Sequence, residues 1–528
     1  MQSTQNYSMS EIKTFKFDSK NFDEIRAYKF GTNWPVVYLI EDGKEIYVGE
    51  TVNAYQRSKQ HLENAARARL KRIHIIGDEE YNKSATLDTE SWLIQYMSAE
   101  EKFVLQNGNR GLKNHSYFDR EKYRAKFERT WQKLKEMAIV QKDLVQIRNS
   151  DIFKYSPYKA LTQDQMLVVR KIVKHLILQK EHTFIINGKP GTGKTILAVY
   201  LIKYLKEREE TKHLNVALVV PMTSLRKTIQ KVFRKVSGLS SSMVIGPNDV
   251  TSKQYDLLIV DEAHRLRRRV NITNFRSFDT TNKKLGFTNE GTELDWVLRS
   301  AKNHILFYDK NQSVRPSDIP HARFDALEAT HFELESQLRV EGGEEYVTFI
   351  DNLFDTAVQN KIAIKNYDFK LYTNIVQMVE DIKQKDKEFG LSRMVAGYAW
   401  NWNTKRGGEY DIDIDGLKLT WNSSASDWVN SPNALNEVGC IHTVQGYDLN
   451  YTGVIIGPEI FYNKEIRKIC VSPQKYKDIN GKRSVSDPEE LTRYVINIYK
   501  TLMTRGIKGT YVYIVDRDLR EYIESQLV

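Results

Sequence analysis

Apolar residues recur along this chain in two spacings, which predict strands and helices in alternation. Mainly apolar runs with the length of a buried strand occupy residues 183–187, 214–220, 256–260, 303–308 and 453–457. Other segments place apolar residues three or four positions apart, as on one face of a helix. The pattern predicts an α/β protein whose sheets are mainly parallel.

Two shorter regions have the pattern of hairpins. Residues 34–50 contain two runs of β-branched and aromatic residues on either side of an Asp-Gly pair at 42–43. Residues 410–421 alternate apolar and polar side chains around a second Asp-Gly pair at 415–416. Asp-Gly is a strong signal for a type I′ turn, and we predict that turn at 42–43.

Helical spacing follows the first hairpin. Arg57 and His61 lie four residues apart and therefore share a helical face, and a second helix predicted to start near Thr86 carries Glu90. Apolar and aromatic residues then recur every three or four positions over 118–147. We predict one long amphipathic helix there.

The strand predicted at 183–187 runs into a glycine-rich turn and then a helical segment. This is the setting of a phosphate-binding loop, in which backbone N–H groups and a helix N-terminus surround an anion. The pattern G-x-x-x-x-G-K-T predicts a site for ATP, with the lysine reaching the terminal phosphates and the threonine holding Mg²⁺. The predicted loop consists of Gly188, Lys189, Pro190, Gly191, Thr192, Gly193, Lys194 and Thr195.

A second strand, predicted at 256–260, ends in two carboxylates, Asp261 and Glu262. At the carboxyl edge of a parallel strand, an aspartate is placed to bind Mg²⁺ together with Thr195. The adjacent glutamate is suited to orienting and deprotonating an attacking water. The two motifs together predict hydrolysis of ATP.

Composition narrows the class of protein. A chain of 528 residues is too long for one core, and its formal charge of +11 favours a polyanionic partner, most plausibly nucleic acid. Cys440 and Cys470 are the only cysteines, so neither a zinc site nor a disulfide framework is expected. With no signal peptide at the start and no run of eighteen apolar residues, we expect a cytoplasmic protein without a membrane partner.

The first hundred residues resemble the GIY-YIG nuclease family. The resemblance rests on residues 37–40 and 47–49, on Arg57 and His61, on Glu90, and on an asparagine that is either Asn107, which we prefer, or Asn109. Val36-Val37 stands where the family has Gly-Ile.

The GIY-YIG resemblance implies a metal-dependent phosphodiesterase. Tyr38, Tyr47 or His61 would accept or relay a proton from water, and Arg57 would stabilise developing charge. Glu90 would bind one divalent cation, Mg²⁺ or Mn²⁺.

Residues 155–528 resemble superfamily 1 helicases, specifically Schlafen-group-3-like helicases. This resemblance implies two tandem RecA-like lobes at 155–335 and 336–528, following a nuclease domain at 1–112 and a helical connector at 113–154. It also implies individual roles for residues outside the phosphate loop. These are adenine reading by Gln165, γ-phosphate sensing by Gln312, arginine fingers at Arg339 and Arg505, and coupling of nucleotide state to nucleic-acid grip by Thr443, Gln445 and Gly446.

The sequence therefore predicts an ATP-dependent nuclease-helicase that acts on DNA rather than RNA, plausibly in defence against phage or other foreign DNA. Two alternatives stay open: an RNA-directed helicase or nuclease, and an ATP-switched nucleic-acid sensor that cuts nothing. A homo-oligomer or a partner from a defence system is possible.

Overall fold

The structure is a computed structural model that describes residues 9–108, 119–178, 180–357, 364, 366–424, 427–444, 446–483 and 485–527. The chain forms two compact units. Residues 1–169, 199–212 and 231–241 make up the first, and residues 170–198, 213–230 and 242–528 make up the second.

The first unit contains a five-stranded sheet in the order β1-β4-β2-β3-β5, antiparallel except for the parallel pair β3–β5. Its strands are β1 (Glu11–Lys16), β2 (Val36–Glu41), β3 (Glu45–Thr51), β4 (Arg72–Gly77) and β5 (Val104–Leu105). Its helices are α1 (Phe22–Ala27), α2 (Ala54–Leu62), α3 (Ala65–Ala68), α4 (Lys83–Glu100), α5 (Arg120–Glu136), α6 (Leu144–Asn149) and α7 (Asp151–Lys154). Every residue of β2 is buried, so this strand forms the centre of the sheet's core.

The hairpin β2–β3 forms as predicted, but its turn is of another type. Asp42 N–H donates to the Glu45 carbonyl (3.2 Å), and among the turn residues only Gly43 has a positive φ, +90°. A type I′ turn requires positive φ at both central residues, so the predicted turn type is wrong.

The predicted long helix over 118–147 is interrupted. Helix α5 ends at Glu136, Ala138 adopts a left-handed φ of 55°, and α6 begins only at Leu144. The chain turns there because Val140, only 1% exposed, is buried and because Trp131 donates from its indole nitrogen to the Lys142 carbonyl (3.0 Å). Packing and this hydrogen bond outweigh the helical periodicity.

The second unit contains two large sheets. The first is fully parallel, in the order β11-β6-β10-β9-β7-β8, and the second has the order β12-β20-β17-β13-β16-β15-β14, antiparallel only at the edge pair β14–β15. The first sheet consists of β6 (His182–Gly188), β7 (Val216–Val219), β8 (Val244–Ile245), β9 (Tyr255–Val260), β10 (Ala301–Tyr308) and β11 (Thr330–Leu334). The second consists of β12 (Asp368–Tyr372), β13 (Ser392–Ala396), β14 (Ile412–Ile414), β15 (Leu417–Trp421), β16 (Glu437–Cys440), β17 (Leu449–Ile456) and β20 (Gly506–Ile514).

A separate hairpin pairs β18 (Ile460–Asn463) with β19 (Lys468–Val471). The remaining helices are α8 (Gln163–Ile177), α9 (Lys194–Glu207), α10 (Thr223–Lys235), α11 (Phe275–Leu285), α12 (Glu293–Ser300), α13 (His321–Asp325), α14 (Gly343–Leu353), α15 (Ile375–Phe389), α16 (Ile441–Val444), α17 (Ile479–Lys482), α18 (Pro488–Met503) and α19 (Arg517–Gln526). No helix in the described part of the chain is both long and apolar enough to cross a membrane.

The predicted parallel strands are confirmed, and their composition explains their position. In β9 the residues from Leu257 to Val260 are each 0% exposed, as expected for a strand covered on both faces. The predicted hairpin at 410–421 forms as β14–β15, and Trp421 packs against Trp400 and Trp402 with ring centroids 6.3 and 6.4 Å apart. The second unit is therefore an α/β structure built on two mainly parallel sheets.

Candidate functional site

Side chains from β2, β3 and α2 converge beside the sheet of the first unit. The Tyr38 hydroxyl lies 2.7 Å from Nε2 of His61 and accepts a 3.4 Å hydrogen bond from Nε of Arg57. Tyr47 packs edge-on against the His61 ring, with centroids 5.0 Å apart. Tyr38 pairs with Gly49 across the hairpin, and a Cβ at position 49 would lie 2.3 Å from the Tyr38 hydroxyl. A glycine is therefore required for this tyrosine to reach its partners.

The surroundings of His61 and Tyr38 favour the uncharged forms of both side chains at neutral pH. Burial, together with the positive charges of Arg67 and Arg57, lowers the pKa of His61 to about 3. Burial raises the pKa of the Tyr38 hydroxyl, and the nearby Tyr47 adds to that shift. At neutral pH the His61 imidazole and the Tyr38 phenol are therefore both neutral, beside the guanidinium groups of Arg57 and Arg67.

Two carboxylates lie close together near this cluster, on α4 and at the end of β3. Burial and the negative charge of Glu50 raise the pKa of Glu90 to about 7. Glu50 itself forms an ion pair with Lys83. Carboxylate oxygens suit a hard divalent cation, so these two residues are chemically fit to hold Mg²⁺ or Mn²⁺. Within the described ranges no group of three or more His, Cys, Asp or Glu side chains is arranged around a common metal position.

Asn107 is bound to the backbone of β3. Its side-chain oxygen accepts from Val48 N–H (2.9 Å), and its side-chain nitrogen donates to the Val48 carbonyl (2.8 Å). This pair of bonds continues the β3–β5 ladder by one step. The alternative residue, Asn109, lies outside the described residues.

The predicted phosphate loop lies in the second unit, between β6 and the start of α9. Gly191 and Gly193 have φ of +90° and +77°, conformations that only glycine adopts without strain. Lys194 begins α9, and its ammonium group donates to the carbonyls of Gly188 and Lys189, the latter at 3.1 Å. The ammonium group therefore lies inside the curve of the loop.

The loop is braced from within by Thr192. Its hydroxyl donates to the Lys189 carbonyl (3.0 Å) and would lie 2.4 Å from a Cβ at position 188. Gly188 is thus required for the end of β6 to approach the loop closely.

Thr195 connects the loop to the carboxylates after β9. Its hydroxyl donates to Oδ2 of Asp261 (2.7 Å), whereas the buried Oδ1 of Asp261 has no hydrogen-bond partner among the described residues. Burial and the adjacent Glu262 raise the pKa of Asp261. A fully buried carboxylate with one unused oxygen beside a threonine hydroxyl fits a Mg²⁺ ion.

Glu262 occupies a left-handed conformation, with φ of 55°. Burial alone would raise its pKa, but the neighbouring His264, Lys194 and Arg505 lower it below the usual range. Nε2 of His264 lies 2.9 Å from a carboxylate oxygen of Glu262. Glu262 is thus an ionised carboxylate at neutral pH.

Gln312 lies on the other side of the loop lysine. Its side-chain nitrogen donates to Oδ2 of Asp309 (2.7 Å), and the same oxygen lies 3.7 Å from Nζ of Lys194. The motif after β10 is therefore in direct contact with the phosphate loop.

The segment that follows β11 binds the phosphate loop. Gln337 donates from its side chain to the Pro190 carbonyl (2.7 Å), and Leu338 N–H donates to the Gly191 carbonyl (2.9 Å). A Cβ at position 191 would lie 2.0 Å from Oε1 of Gln337. The loop and the start of the second predicted lobe therefore fit closely together.

The two predicted arginine fingers have different partners. Nε of Arg339 lies 2.5 Å from a carboxylate oxygen of Asp448. Arg505 is 2% exposed and donates to the Tyr447 carbonyl (3.4 Å), and its charge acts on Glu262.

Other predicted residues have mainly local contacts. Gly446 has φ of +91°, and a Cβ there would lie 3.3 Å from Leu225. The Thr443 hydroxyl accepts from Cys440 N–H (3.1 Å), whereas Gln445 lies outside the described residues. Gln165 belongs to the first unit, where its side-chain oxygen accepts from Thr162 N–H (3.1 Å).

Residues 181–516, more than half of the chain, match the family described as Schlafen group 3, DNA/RNA helicase domain. The chain belongs to this family. The match contains the phosphate loop, both carboxylates and both arginines, and it supports a helicase- or ATPase-like function.

This Schlafen group 3 chain is similar to the uncharacterised protein YPL245W of Saccharomyces cerevisiae. The two are 27% identical over 396 residues, which cover 64% of this chain and 83% of the yeast protein.

Solved helicase structures show weaker likeness. The Pif1 helicase from Candida albicans is 11% identical, with 69% of this chain and 99% of that chain covered and a TM-score of 0.28. The arterivirus nonstructural protein 10 helicase is 14% identical, with a TM-score of 0.30; the match covers 67% of this chain and 64% of the viral chain.

The helicase region also contains a basic cavity of about 500 Å³. Its lining carries positive charge from Arg226, Arg265, Arg267 and Arg315, and it also contains Asp249 and Asp318. Burial and the charge of Arg315 lower the pKa of His442 to about 4, so this lining residue is uncharged at neutral pH. Nη2 of Arg315 lies 2.6 Å from Nδ1 of His442. The cavity brings the segment after β7 together with the arginines that follow Glu262.

Much of the arginine cluster at 265–269 is engaged by the protein itself. Arg267 makes two hydrogen bonds to the buried Glu293 (2.9 and 2.6 Å), and Arg269 pairs with Asp279 (2.5 Å). These contacts give the cluster a structural role in addition to its position at the cavity.

Three contact residues escaped prediction from the sequence. Arg67 follows His61 by six positions and carries no helical or strand signal that marks it. Glu50 directly follows the predicted nuclease motif at 47–49. Gln337 lies two residues before the predicted arginine finger Arg339, and this Gln-x-Arg spacing was the sequence signal that could have identified it.

Proposed function

We propose that this protein is an ATP-dependent nuclease-helicase. Its first unit would cleave a phosphodiester bond with the help of a divalent metal, and its helicase region would hydrolyse ATP to move along or remodel nucleic acid. The convergence of Tyr38, Tyr47, Arg57 and His61 beside Glu90 carries the nuclease part of the proposal. DNA is the favoured substrate, and defence against foreign DNA is the proposed context.

Each residue of the proposed nuclease site would have a separate role in hydrolysis. Arg57 is the cation available to stabilise negative charge on the scissile phosphate, and the Tyr38 hydroxyl beside it is the proton-handling group. Glu90, with Glu50 beside it, would hold Mg²⁺ or Mn²⁺. When bound, the metal would supply further stabilisation of charge on the leaving oxygen.

The motor residues have complementary roles around ATP. Backbone N–H groups of the loop and Lys194 would hold the phosphates, and Thr195 with Asp261 would hold Mg²⁺. Because Glu262 is ionised at neutral pH, it is able to accept a proton from the attacking water. Gln312, Arg339 and Arg505 would sense and stabilise the γ-phosphate.

The basic cavity is the proposed position for the phosphate backbone of the nucleic acid. Guanidinium groups bind phosphate oxygens in a bidentate manner, and such contacts carry little sequence information. A nuclease joined covalently to such a motor acts at a raised effective concentration on the strand that the motor holds.

The test is cleavage of single-stranded, duplex and forked DNA, and of matched RNA, with Mg²⁺ or Mn²⁺ and with or without ATP. Glu90→Ala should abolish cleavage and leave ATP hydrolysis intact, and Glu24→Ala, an exposed position on α1, is the matched control. Lys194→Ala should abolish ATP hydrolysis, with the exposed Lys387→Ala as its control.

The experiment tests the nuclease and the motor assignments independently of each other. If the unsubstituted protein cuts none of the substrates under any condition, the nuclease assignment is wrong. If Lys194→Ala hydrolyses ATP at the normal rate, the motor assignment is wrong. If the protein cleaves RNA in preference to DNA, the assignment of DNA as the substrate is wrong.

A further inference from the structure

Arg67 contacts two members of the nuclease cluster but belongs to none of the predicted motifs. Its guanidinium carbon lies 3.9 Å from the centroid of the Tyr47 ring, a cation–π contact that fixes the position of the side chain. Its Nη1 lies 3.0 Å from Nδ1 of His61. Arg67 thus joins the tyrosine of β3 to the histidine of α2.

The Arg67 contact determines which nitrogen of His61 carries hydrogen. A guanidinium group has only donors and is always protonated, so the imidazole nitrogen facing it must be an acceptor. Nδ1 is therefore the unprotonated nitrogen, and in the neutral ring Nε2 carries the hydrogen. A flipped ring would place carbon atoms against both Arg67 and Tyr38 and lose both hydrogen bonds.

The tautomer of His61 in turn orients the Tyr38 hydroxyl. Nε2–H of His61 donates to the Tyr38 oxygen over 2.7 Å, and Nε–H of Arg57 donates to the same oxygen over 3.4 Å. The phenol oxygen accepts both bonds, so its own proton is used in neither. That proton must point away from His61 and Arg57.

We infer that Arg67 is a positioning residue of the nuclease site: it holds His61 as the Nε2–H tautomer, so that Tyr38 presents its hydroxyl proton to the substrate phosphate. This inference rests on the proposed nuclease function. His61 then serves as a donor to Tyr38 and not as the base that takes a proton from water.

The first test observes the tautomer without any catalysis. In the full chain labelled with ¹⁵N-histidine, two-bond ¹H–¹⁵N correlations at neutral pH distinguish the two tautomers, and His61→Gln identifies the His61 signals by their loss. We expect the Nε2–H pattern for His61. Arg67→Met, which cannot donate, should convert it to a mixture, and Arg67→Lys should retain it. An Nδ1–H pattern in the unsubstituted protein would overturn the inference.

The second test measures cleavage in a single turnover at saturating DNA. Arg67→Met should slow cleavage by about 10–100-fold, as is typical when a residue supporting a catalytic group is removed, and Arg67→Lys should recover most of the rate. Arg69→Met is the matched control, because Arg69 instead pairs with Glu45 at an exposed position. Equal rates for Arg67→Met and the unsubstituted chain would also overturn the inference.

The two tests separate this inference from the proposed function. A protein that cuts no substrate refutes the nuclease proposal, whereas the histidine spectrum still decides whether Arg67 sets the tautomer.

Discussion

Alanine at position 49 should disable the nuclease while leaving the motor intact. A Cβ there would lie 2.3 Å from the Tyr38 hydroxyl oxygen and 2.4 Å from the ring carbon that carries it. Because non-bonded carbon atoms settle about 3.5–4.0 Å apart, the ring must move by about 1 Å. A movement of that size breaks the 2.7 Å bond between Tyr38 and His61.

Two magnitudes follow from this displacement. Overpacking of this kind typically lowers the free energy of unfolding by about 1–3 kcal/mol. A misplacement of about 1 Å at a reacting group typically slows the reaction by about 10²-fold. We therefore expect Gly49→Ala to fold, to hydrolyse ATP normally and to cleave DNA about a hundredfold more slowly.

The assay is single-turnover cleavage, with ATP hydrolysis and thermal unfolding measured on the same preparation. Gly43→Ala is the control, since Gly43 has φ of +90° and a Cβ there meets no atom within 4 Å. That substitution strains the turn by about 1 kcal/mol or more but leaves Tyr38 in place, so it should lose stability and keep the nuclease. Rapid cleavage by folded Gly49→Ala would refute the assignment of Tyr38 to the site.

Three further predictions concern separate parts of the chain. Glu262→Gln should slow ATP hydrolysis by about 10²–10⁴-fold while nucleotide binding persists, as measured by phosphate release and by fluorescent-nucleotide titration. Arg315→Ala should weaken binding of single-stranded DNA and reduce the slope of log K against log salt by about 0.7, measured by anisotropy at several salt concentrations. Burial opposes ionisation of Glu41, but its bonds to His74 and Arg72 lower its pKa to about 2. The ionised carboxylate therefore stabilises the fold fully when the pH is above the ordinary pKa of a glutamate. This stabilisation is lost as the pH falls from there through about 2. Acid titration should therefore show a smaller loss of stability in Glu41→Gln across that range.

Features set by local periodicity were predictable from the sequence. The parallel strands β6, β9 and β10 are continuous apolar runs because both faces of each sheet are covered, and the polar residues after them necessarily meet at one edge. The phosphate loop was predictable from the G-x-x-x-x-G-K-T pattern that follows β6, and Asp261 and Glu262 from their position at the end of β9.

Features set by distant contacts were not predictable. The helical pattern of 118–147 continues through Ala138, and the burial of Val140 and the hydrogen bond from Trp131 to the Lys142 carbonyl explain why the chain turns there. Arg67 has no periodic partner in sequence, so its contacts with Tyr47 and His61 follow only from the fold of α2 and α3 beside the hairpin.

The two candidate arginine fingers are placed differently relative to the phosphate loop. Leu338 binds the Gly191 carbonyl through its backbone, and the next residue, Arg339, forms the ion pair with Asp448. The residue that binds the loop and the residue that pairs with Asp448 are therefore neighbours in the chain. Arg505 differs, because it is buried and its charge helps to lower the pKa of Glu262. Arg339 thus adjoins the residue that binds the phosphate loop. Arg505 instead favours the ionised form of Glu262, the carboxylate that would accept the proton.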